Sequence, residues 1–168
     1  MVLLVESKTP ARLASAWHLR ELGVDDKKCM LDFFLRLSKE DRYSRFHFNA
    51  SDKALQSYVQ KIDFETCVAV GVFLDGQIQG VAELFIESIH GCMGIEEGEM
   101  SIAITSVLRG SGVGRLMMDF LKKKAVALGL ARIHLAFIAS NIPMRKVAAN
   151  IGMFETGSFH DRIAQAVL

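Results

Sequence analysis

The first candidate for chemistry is a loop in which three glycines alternate with other residues between two arginines, Arg109-Gly110-Ser111-Gly112-Val113-Gly114-Arg115. The residues before this glycine loop alternate with the period of a strand, and those after it recur at helical spacing. A helix start leaves backbone N–H groups without partners and carries a partial positive charge, so anions bind there. Glycines let the chain turn sharply and approach a bulky phosphate. We therefore expect a cradle for a pyrophosphate, to which Arg109 and Arg115 add positive charge.

Two common phosphate-binding motifs do not explain this loop. A mononucleotide P-loop ends in Gly-Lys followed by Ser or Thr, whereas Gly114 is followed by Arg115 and Leu116. A dinucleotide-binding loop needs a glycine where Arg115 stands and an acidic residue about twenty residues downstream, at the end of a second strand. The chain lacks both features, so the first interpretation fails and the second is weak.

The loop resembles motif A of the GNAT superfamily of N-acetyltransferases, written Gln/Arg-x-x-Gly-x-Gly/Ala, at its fixed positions Arg109, Gly112 and Gly114. In that family the loop amides bind the pyrophosphate of acetyl-coenzyme A. The resemblance implies an acyl-CoA site in which the pantetheine arm pairs with backbone groups from Ile102 to Ile104 and the thioester lies between Glu99 and Asn141. The alternative is a glycine loop that merely turns the chain.

Two further segments carry the resemblance. Residues Ala139 to Phe154 are similar to motif B of the superfamily, in which an Asn begins a helix that ends in Gly-Phe; Asn141 takes the first position, and Met153 stands where the Phe is usual. The stretch from Leu37 to Phe46, LSKEDRYSRF, resembles a segment of a GNAT subgroup that includes the acetyltransferase domains of bacterial protein-lysine acetyltransferases. That stretch hints at protein substrates. A capped helix with Phe46 in the core explains it equally well.

Acyl transfer to an amine needs a proton acceptor, and the resemblance supplies a candidate. An alkylamine has a pKa near 10.4, so roughly one molecule in a thousand is uncharged at neutral pH. Glu99 begins the predicted strand and matches the position where many family members carry a glutamate that acts directly or through water. We expect Glu99 to be the catalytic base. Glu96 and Glu97 lie close by and are alternatives.

The proton donor for the leaving thiolate is harder to identify. Many relatives supply it from a Tyr in the motif B helix, but counting back from Gly152 gives Ala148 at that position. His134 and Ser140 are the substitutes that the sequence offers. A thiol with a pKa near 8.5 is also a fair leaving group without any acid.

The elements that must position these residues predict an α/β fold with a mixed sheet. Two strand-like runs joined at Asp75-Gly76 indicate an antiparallel hairpin. The strand before the glycine loop, the helix after it and a strand over residues 131–138 form a crossover of two parallel strands. The resemblance implies that these two strands splay apart. We expect six or seven strands, largely antiparallel around that splayed pair, flanked by about four helices.

The same pattern predicts a loop before the glycine-loop strand and the two faces of the helix that follows the glycine loop. Residues Glu87 to Gly98 are predicted to form a loop, because they include three glycines and several acidic residues. The helix after the glycine loop has a buried stripe predicted at Leu116, Met117, Phe120 and Leu121. Its residues Lys122 to Lys124 are predicted to be exposed.

Composition narrows the class of protein. The 168 residues suit a single domain over residues 1–168, and the formal net charge of +1 gives no electrostatic case for nucleic acid or an anionic membrane. Cys29, Cys67 and Cys92 have no metal-ligand spacing and predict reduced thiols in a cytoplasmic protein that binds no metal. The short apolar N-terminal run, Met1 to Glu6, predicts neither a signal peptide nor a membrane span.

The function expected from these features is an acyl-CoA-dependent N-acetyltransferase that uses acetyl-CoA as co-substrate. Its acceptor would be an amine of a small molecule or of a protein, and the protein itself a monomer or a homodimer. A non-catalytic acyl-CoA-binding or regulatory module is the alternative, supported by the missing Tyr. A structural α/β domain without a cofactor is the third, and the convergence of strand, glycine loop and Asn-capped helix argues against it.

Overall fold

The computed structural model describes residues 17–88, 96–157 and 161–168. Seven strands and five helices lie in these ranges. The strands are β1 (His18–Leu22), β2 (Cys67–Leu74), β3 (Gln77–Ser88), β4 (Glu96–Ile104), β5 (Arg132–Ile138), β6 (Phe154–Gly157) and β7 (Asp161–Val167). The helices are α1 (Lys27–Arg36), α2 (Lys39–Phe46), α3 (Asp52–Lys61), α4 (Val113–Ala127) and α5 (Ile142–Asn150). None of the helices in these ranges is long and apolar enough to cross a membrane.

The strands form one sheet in the order β1-β2-β3-β4-β5-β7-β6. Its pairs are antiparallel except for β4 with β5, which are parallel and joined by the crossover through α4. This arrangement confirms the predicted mixed α/β fold, including the hairpin at Asp75-Gly76. The described ranges contain seven strands and five α-helices, where about four helices were expected.

The two parallel strands pair over only part of their length. Their register ends where Met100 lies opposite Leu135. From there β4 continues to pair with β3 as far as Ile104, and β5 continues to pair with β7 as far as Ile138. The facing edges of β4 and β5 are therefore separated beyond Met100, and this splay opens a gap in the middle of the sheet.

The sheet has a hydrophobic core on each face. Side chains of α4 and α5 pack on one face against a cluster that includes Met100 and Leu135, and those of α1 and α3 pack on the other against a cluster that includes Ala103. Because side chains alternate along a strand, Glu99 and Ser101 lie on the face that carries Ala103. His134 of β5 lies on the same face, since its neighbour Leu135 lies on the other.

Three helix starts are capped by side chains. The Ser38 hydroxyl accepts a hydrogen bond from the Asp41 amide (3.1 Å), and the Ser51 hydroxyl accepts one from the Ala54 amide (3.2 Å). The side-chain oxygen of Asn141 accepts one from the amide of Met144 (3.1 Å) at the start of α5. Such caps satisfy amides that the first helical turn leaves unpaired.

The predicted loop from Glu87 to Gly98 is wrong at both ends. Strand β3 runs to Ser88 and β4 begins at Glu96, three residues before the predicted start. Gly98 is buried in the sheet, where an added Cβ would come within 2.5 Å of Leu84 Cδ1. This glycine permits close packing inside a strand and does not mark a loop. The centre of the predicted loop, residues 89–95, lies outside the described residues, as do residues 1–16.

The predicted faces of α4 also need correction. Leu116 is 40% exposed, and Met118 takes the fully buried position beside Met117 and Leu121. The ammonium of Lys122 donates to the carbonyl of Ile151 (2.7 Å), and that of Lys124 pairs with Glu21, so the lysines are not simply a solvated face. Long lysine side chains reach partners on other elements of the fold, and the helical periodicity of a sequence cannot predict such contacts.

Candidate active site

The three glycines of the glycine loop have different structural roles. Gly110 and Gly112 have φ angles of 76° and 86°, in the left-handed region that side chains disfavour. Gly114, in the first turn of α4, is needed for packing, because a Cβ there would lie 3.0 Å from Ile104 Cδ1 of β4. The first two glycines therefore shape the turn, and the third brings the helix start close to the splayed strand.

Four backbone amides of this segment have no hydrogen-bond acceptor among the described residues. They belong to Gly110, Gly112, Gly114 and Arg115. The amide of Ser111 bonds weakly to the carbonyl of Leu108 (3.4 Å), and that of Val113 to the hydroxyl of Ser111 (3.4 Å). Unpaired amides at the start of a 15-residue helix form the positive end of its dipole. This end of α4 can therefore bind an anion.

The two arginines of the loop differ in availability. The guanidinium of Arg109 donates from Nε to the carbonyl of Ile104 (3.1 Å) and from Nη2 to the carboxylate of Asp41 (2.5 Å). Its charge is therefore already paired. Arg115 is exposed and makes no ion pair within the described ranges. The Ile104 carbonyl, one of the backbone groups predicted to pair with pantetheine, accepts the bond from Arg109.

A cleft of about 280 Å³, counting the space open to solvent, lies at the splay. Its lining comes from α2, both splayed strands and the start of α5: Ser44, Arg45, Ser101, Ile102, Leu135, Ala136, Phe137, Asn141 and Met144. Asn141 caps α5 with its oxygen and donates from Nδ2 to the Ser44 hydroxyl (3.2 Å), which joins α2 to α5. Ile102 and Asn141, both predicted from the sequence, thus line one cleft.

Glu99 is the best placed of the three candidate bases. It is half-buried and lies opposite His134 in the register of β4 and β5, and its carboxylate has no hydrogen bond or ion pair to any residue that the structure describes. Glu97 instead pairs with Arg132 (2.9 Å), and Glu96 is exposed. Of these carboxylates, only Glu99 is both partly shielded from water and without a described partner.

A buried polar cluster lies beside the cleft and was not predicted from the sequence. Glu83 of β3 is fully buried, and its Oε2 accepts hydrogen bonds from Arg45 Nη2 and from the hydroxyl of Tyr58 (2.9 Å). Burial and the charge of Glu83 raise the pKa of Tyr58 above its usual value, so Tyr58 stays protonated and donates. The sequence does contain a weak signal for this cluster. Glu83 is an isolated carboxylate in an apolar run, and a carboxylate buried in such a run usually has a cationic or hydrogen-bonding partner.

The position at which many relatives carry a Tyr is enclosed by the core. Ala148 is fully buried, and the α5 side chain that lines the cleft is Met144, one turn earlier. Ser140 is exposed, and His134 is half-buried. Within the described residues, no group of His, Cys, Asp and Glu is arranged to hold a metal ion.

One family model and several solved structures are similar to this chain. The model of the acetyltransferase (GNAT) family matches residues 31–153. The GNAT domain of Streptomyces lividans PAT has 20% sequence identity, with a TM-score of 0.75 and 90% of each chain covered. A GNAT-family acetyltransferase from Streptococcus pneumoniae has 16% identity and a TM-score of 0.70, with 90% of this chain and 99% of that chain covered.

A third similar structure contains coenzyme A. RimL, a ribosomal-protein alpha-N-acetyltransferase in complex with coenzyme A, has 13% identity and a TM-score of 0.68, with 94% of this chain and 97% of that chain covered. At these identities the structures show the shared fold, and the family model shows the family. The chain therefore belongs to the GNAT family of acetyltransferases, which implies an acetyl-CoA-dependent N-acetyltransferase activity.

Proposed function

We propose that this protein transfers the acetyl group of acetyl-CoA to a primary amine, by direct attack of that amine and without a metal. The observation that carries the proposal is the set of four unpaired amides at the start of α4, beside the gap between β4 and β5. A pyrophosphate matches these donors, because it offers several anionic oxygens to neighbouring N–H groups.

The remaining residues have distinct tasks in this proposal. The amides from Gly110 to Arg115 hold the pyrophosphate, with Arg115 adding positive charge. Arg109 adds its charge when it exchanges Asp41 for a phosphate oxygen. Beyond Met100 the edge of β4 no longer pairs with β5, and its residues Ile102 to Ile104 pair with the pantetheine arm, although the Ile104 carbonyl also accepts from Arg109. Asn141 fixes α5 on the far side of the cleft. When bound, acetyl-CoA supplies the acetyl group as a thioester.

Glu99 is proposed to accept the proton of the attacking amine, directly or through a water molecule. The amine nitrogen bonds to the acetyl carbon, the carbon–sulfur bond breaks, and the sulfur leaves as a thiolate. Helix α5 contains no Tyr that could protonate the sulfur, so the thiolate takes its proton from solvent.

The acceptor is an amine of a small molecule, a protein lysine or a protein N terminus. Two observations favour a protein. The segment from Leu37 to Phe46 resembles one found in domains that acetylate protein lysines, and it forms α2 beside the cleft. Similar structures also include proteins named as ribosomal-protein acetyltransferases.

The proposal is tested by measuring the release of CoA thiol from acetyl-CoA with a panel of amines: lysine peptides, peptides with free N termini, and small alkylamines. A thermal shift with CoA is measured in parallel, because a ligand at a hundred times its dissociation constant stabilises by about 2.7 kcal/mol. Amine-dependent thiol release supports the proposal. Stabilisation without release across the panel would favour the non-catalytic module, and no stabilisation would contradict an acyl-CoA site.

A further inference from the structure

A buried arginine lies beside the cleft, and none of the roles above uses it. The side chain of Arg45 is 9% exposed and that of Glu83 is fully enclosed. Arg45 lines the cleft together with Ser101, which is directly opposite Glu83 in the register of β3 and β4. The Arg45–Glu83 ion pair therefore lies where β4 begins to separate from β5.

The guanidinium of Arg45 is held firmly on one side. Its Nη2 donates to Glu83 and to the hydroxyl of Tyr58 (2.7 Å). The ring of Phe46 lies 4.7 Å from its central carbon, which is a cation–π distance. Burial is the largest single effect and lowers the pKa of Arg45, but the electrostatic interactions with Glu83 and Tyr58 and the hydrogen bonds to them together raise it above its usual value, so the side chain is a permanent cation.

The other nitrogens of Arg45 are not used within the described residues. Nε is buried without an acceptor there. Nη1 has no acceptor among these residues either, yet it is not one of the fully enclosed unpaired atoms, so it reaches accessible space. Arg45 is one of the residues that line the cleft, which places this nitrogen to reach it. A cationic donor is thus fixed at the cleft with a free N–H.

The chemistry of this donor indicates the group it would bind. A carbonyl oxygen, which accepts hydrogen bonds and cannot donate them, suits a cationic N–H donor. The hydrogen bond between them strengthens as negative charge develops on the oxygen. Because Glu83 carries the opposite charge, the pair presents this donor without a net charge that would repel a cationic amine.

We propose that Arg45 is a catalytic residue that donates from Nη1 to the carbonyl oxygen of the thioester in the cleft. Glu83 and Tyr58 are positioning residues that hold its guanidinium in place. This inference rests on the proposed function, because it requires an acyl thioester in the cleft. It adds a side-chain donor to the thioester end of the site, in which only backbone groups and carboxylates were assigned above.

The test compares the affinities for acetyl-CoA and CoA, which differ only in the acetyl group. Arg45→Met alone would leave Glu83 buried without its cation and could unfold the protein, so the main variant is Arg45→Met with Glu83→Gln, which removes both charges and keeps an acceptor for Tyr58. The matched control is Arg20→Met with Asp26→Asn, which removes another arginine–carboxylate pair. In that pair Arg20 lies on β1 and Asp26 immediately precedes α1. Circular dichroism and thermal unfolding verify that each variant is folded.

We expect the wild-type protein to bind acetyl-CoA about tenfold more tightly than CoA, which is the typical effect of one charge-assisted hydrogen bond. In the Arg45/Glu83 variant this ratio should fall to about one, and kcat should fall about 10²-fold, as when an oxyanion donor is removed. The Arg20/Asp26 control should keep the wild-type ratio.

Two results would overturn the inference while leaving the proposed function intact. One is an Arg45/Glu83 variant with the wild-type affinity ratio, and the other is a wild-type protein that binds the two ligands equally. A wild-type protein that binds neither ligand would overturn the proposed function and this inference with it. These failures are distinguishable because the last one is a loss of all binding, whereas in the first two the protein still binds both ligands.

Discussion

The guanidinium of Arg109 in the glycine loop lies 2.5 Å from the carboxylate of Asp41 on α2. The two residues are 68 positions apart in the chain. Arg109 is the first fixed residue of motif A, and Asp41 lies in the segment that resembles protein-lysine acetyltransferase domains. Their ion pair connects the predicted pyrophosphate cradle with the helix beside the cleft.

Replacing Asp41 should strengthen coenzyme A binding. In Asp41→Asn the guanidinium of Arg109 is released from its competing carboxylate and becomes available to the pyrophosphate. Since exposed ion pairs contribute about 0.2–1 kcal/mol, we expect the affinity for CoA to rise about two- to fivefold in isothermal titration calorimetry. Asp52→Asn breaks the neighbouring pair with Arg42 and should leave the affinity unchanged. Weaker binding in Asp41→Asn would mean that Asp41 orients Arg109 for the phosphate.

Gly112→Ala should weaken coenzyme A binding more than it weakens the fold. A Cβ at Gly112 meets no neighbour within 4 Å, but its φ of 86° is strained for alanine by about 1–2 kcal/mol. Relief of this strain turns the loop amides away from their common point, so we expect at least about a tenfold loss of affinity. Gly129→Ala is the matched control, with a φ of 77° and equally open space at the other end of α4. Equal affinities in the two variants would contradict the cradle.

Glu99→Gln should lower turnover without affecting coenzyme A binding. The amide cannot accept a proton, and general base catalysis typically contributes at least about 10²-fold to the rate. Steady-state kinetics with the best acceptor of the amine panel should therefore show kcat reduced by about this factor, while calorimetry shows unchanged CoA affinity. Glu97→Gln breaks an ion pair with Arg132 on the same face and should keep most of the activity. Full activity in Glu99→Gln would assign the base elsewhere.

Restoring the usual Tyr of motif B should harm the protein. Ala148 is fully buried, so the ring of Ala148→Tyr has no space and should destabilise the fold by about 1–3 kcal/mol. Urea unfolding monitored by circular dichroism measures this difference. The adjacent Ala149 is exposed, and Ala149→Tyr should change stability by less than about 0.5 kcal/mol. A stable Ala148→Tyr protein would show that this region of α5 can open towards the cleft.

The contribution of Asp26 to the free energy of unfolding should depend on pH. Hydrogen bonds from Arg20 (2.7 and 2.8 Å) hold the pKa of Asp26 below its usual value, against the opposing effect of partial burial. The folded pKa is below the unfolded value of about 3.9, so the contribution is fully present above the unfolded value and is lost as the pH falls through the folded one. Asp26→Asn should therefore cost about 1 kcal/mol near neutral pH, and less as the pH falls below about 4.

Thermal unfolding of the wild type and Asp26→Asn between pH 2 and 7 checks this dependence. The adjacent Asp25 is exposed, so Asp25→Asn should follow the wild-type curve. A difference between Asp26→Asn and the wild type that stays constant down to pH 2 would exclude ionisation of Asp26 as its cause.

Much of the scaffold was predictable because it depends on interactions within a few residues. Ser38, Ser51 and Asn141 cap helices through bonds to amides three positions away. The left-handed φ angles at Asp75 and Gly76 explain why these residues form the hairpin turn. Gly98 was misread because a glycine that packs inside a strand and a glycine in a loop look alike in a sequence.

By itself, the sequence determined the order of the elements, the glycine loop at the start of α4 and the positions of Glu99 and Asn141 along the chain. Only the tertiary structure decided which side chains meet at the cleft, because Ser44 and Asn141 are 97 positions apart and Arg45 and Glu83 are 38 apart. Such contacts follow from strand order and register, and a shift of one residue would turn each strand side chain to the opposite face. The buried arginine and the paired Arg109 are therefore properties of the folded sheet and not of any local motif.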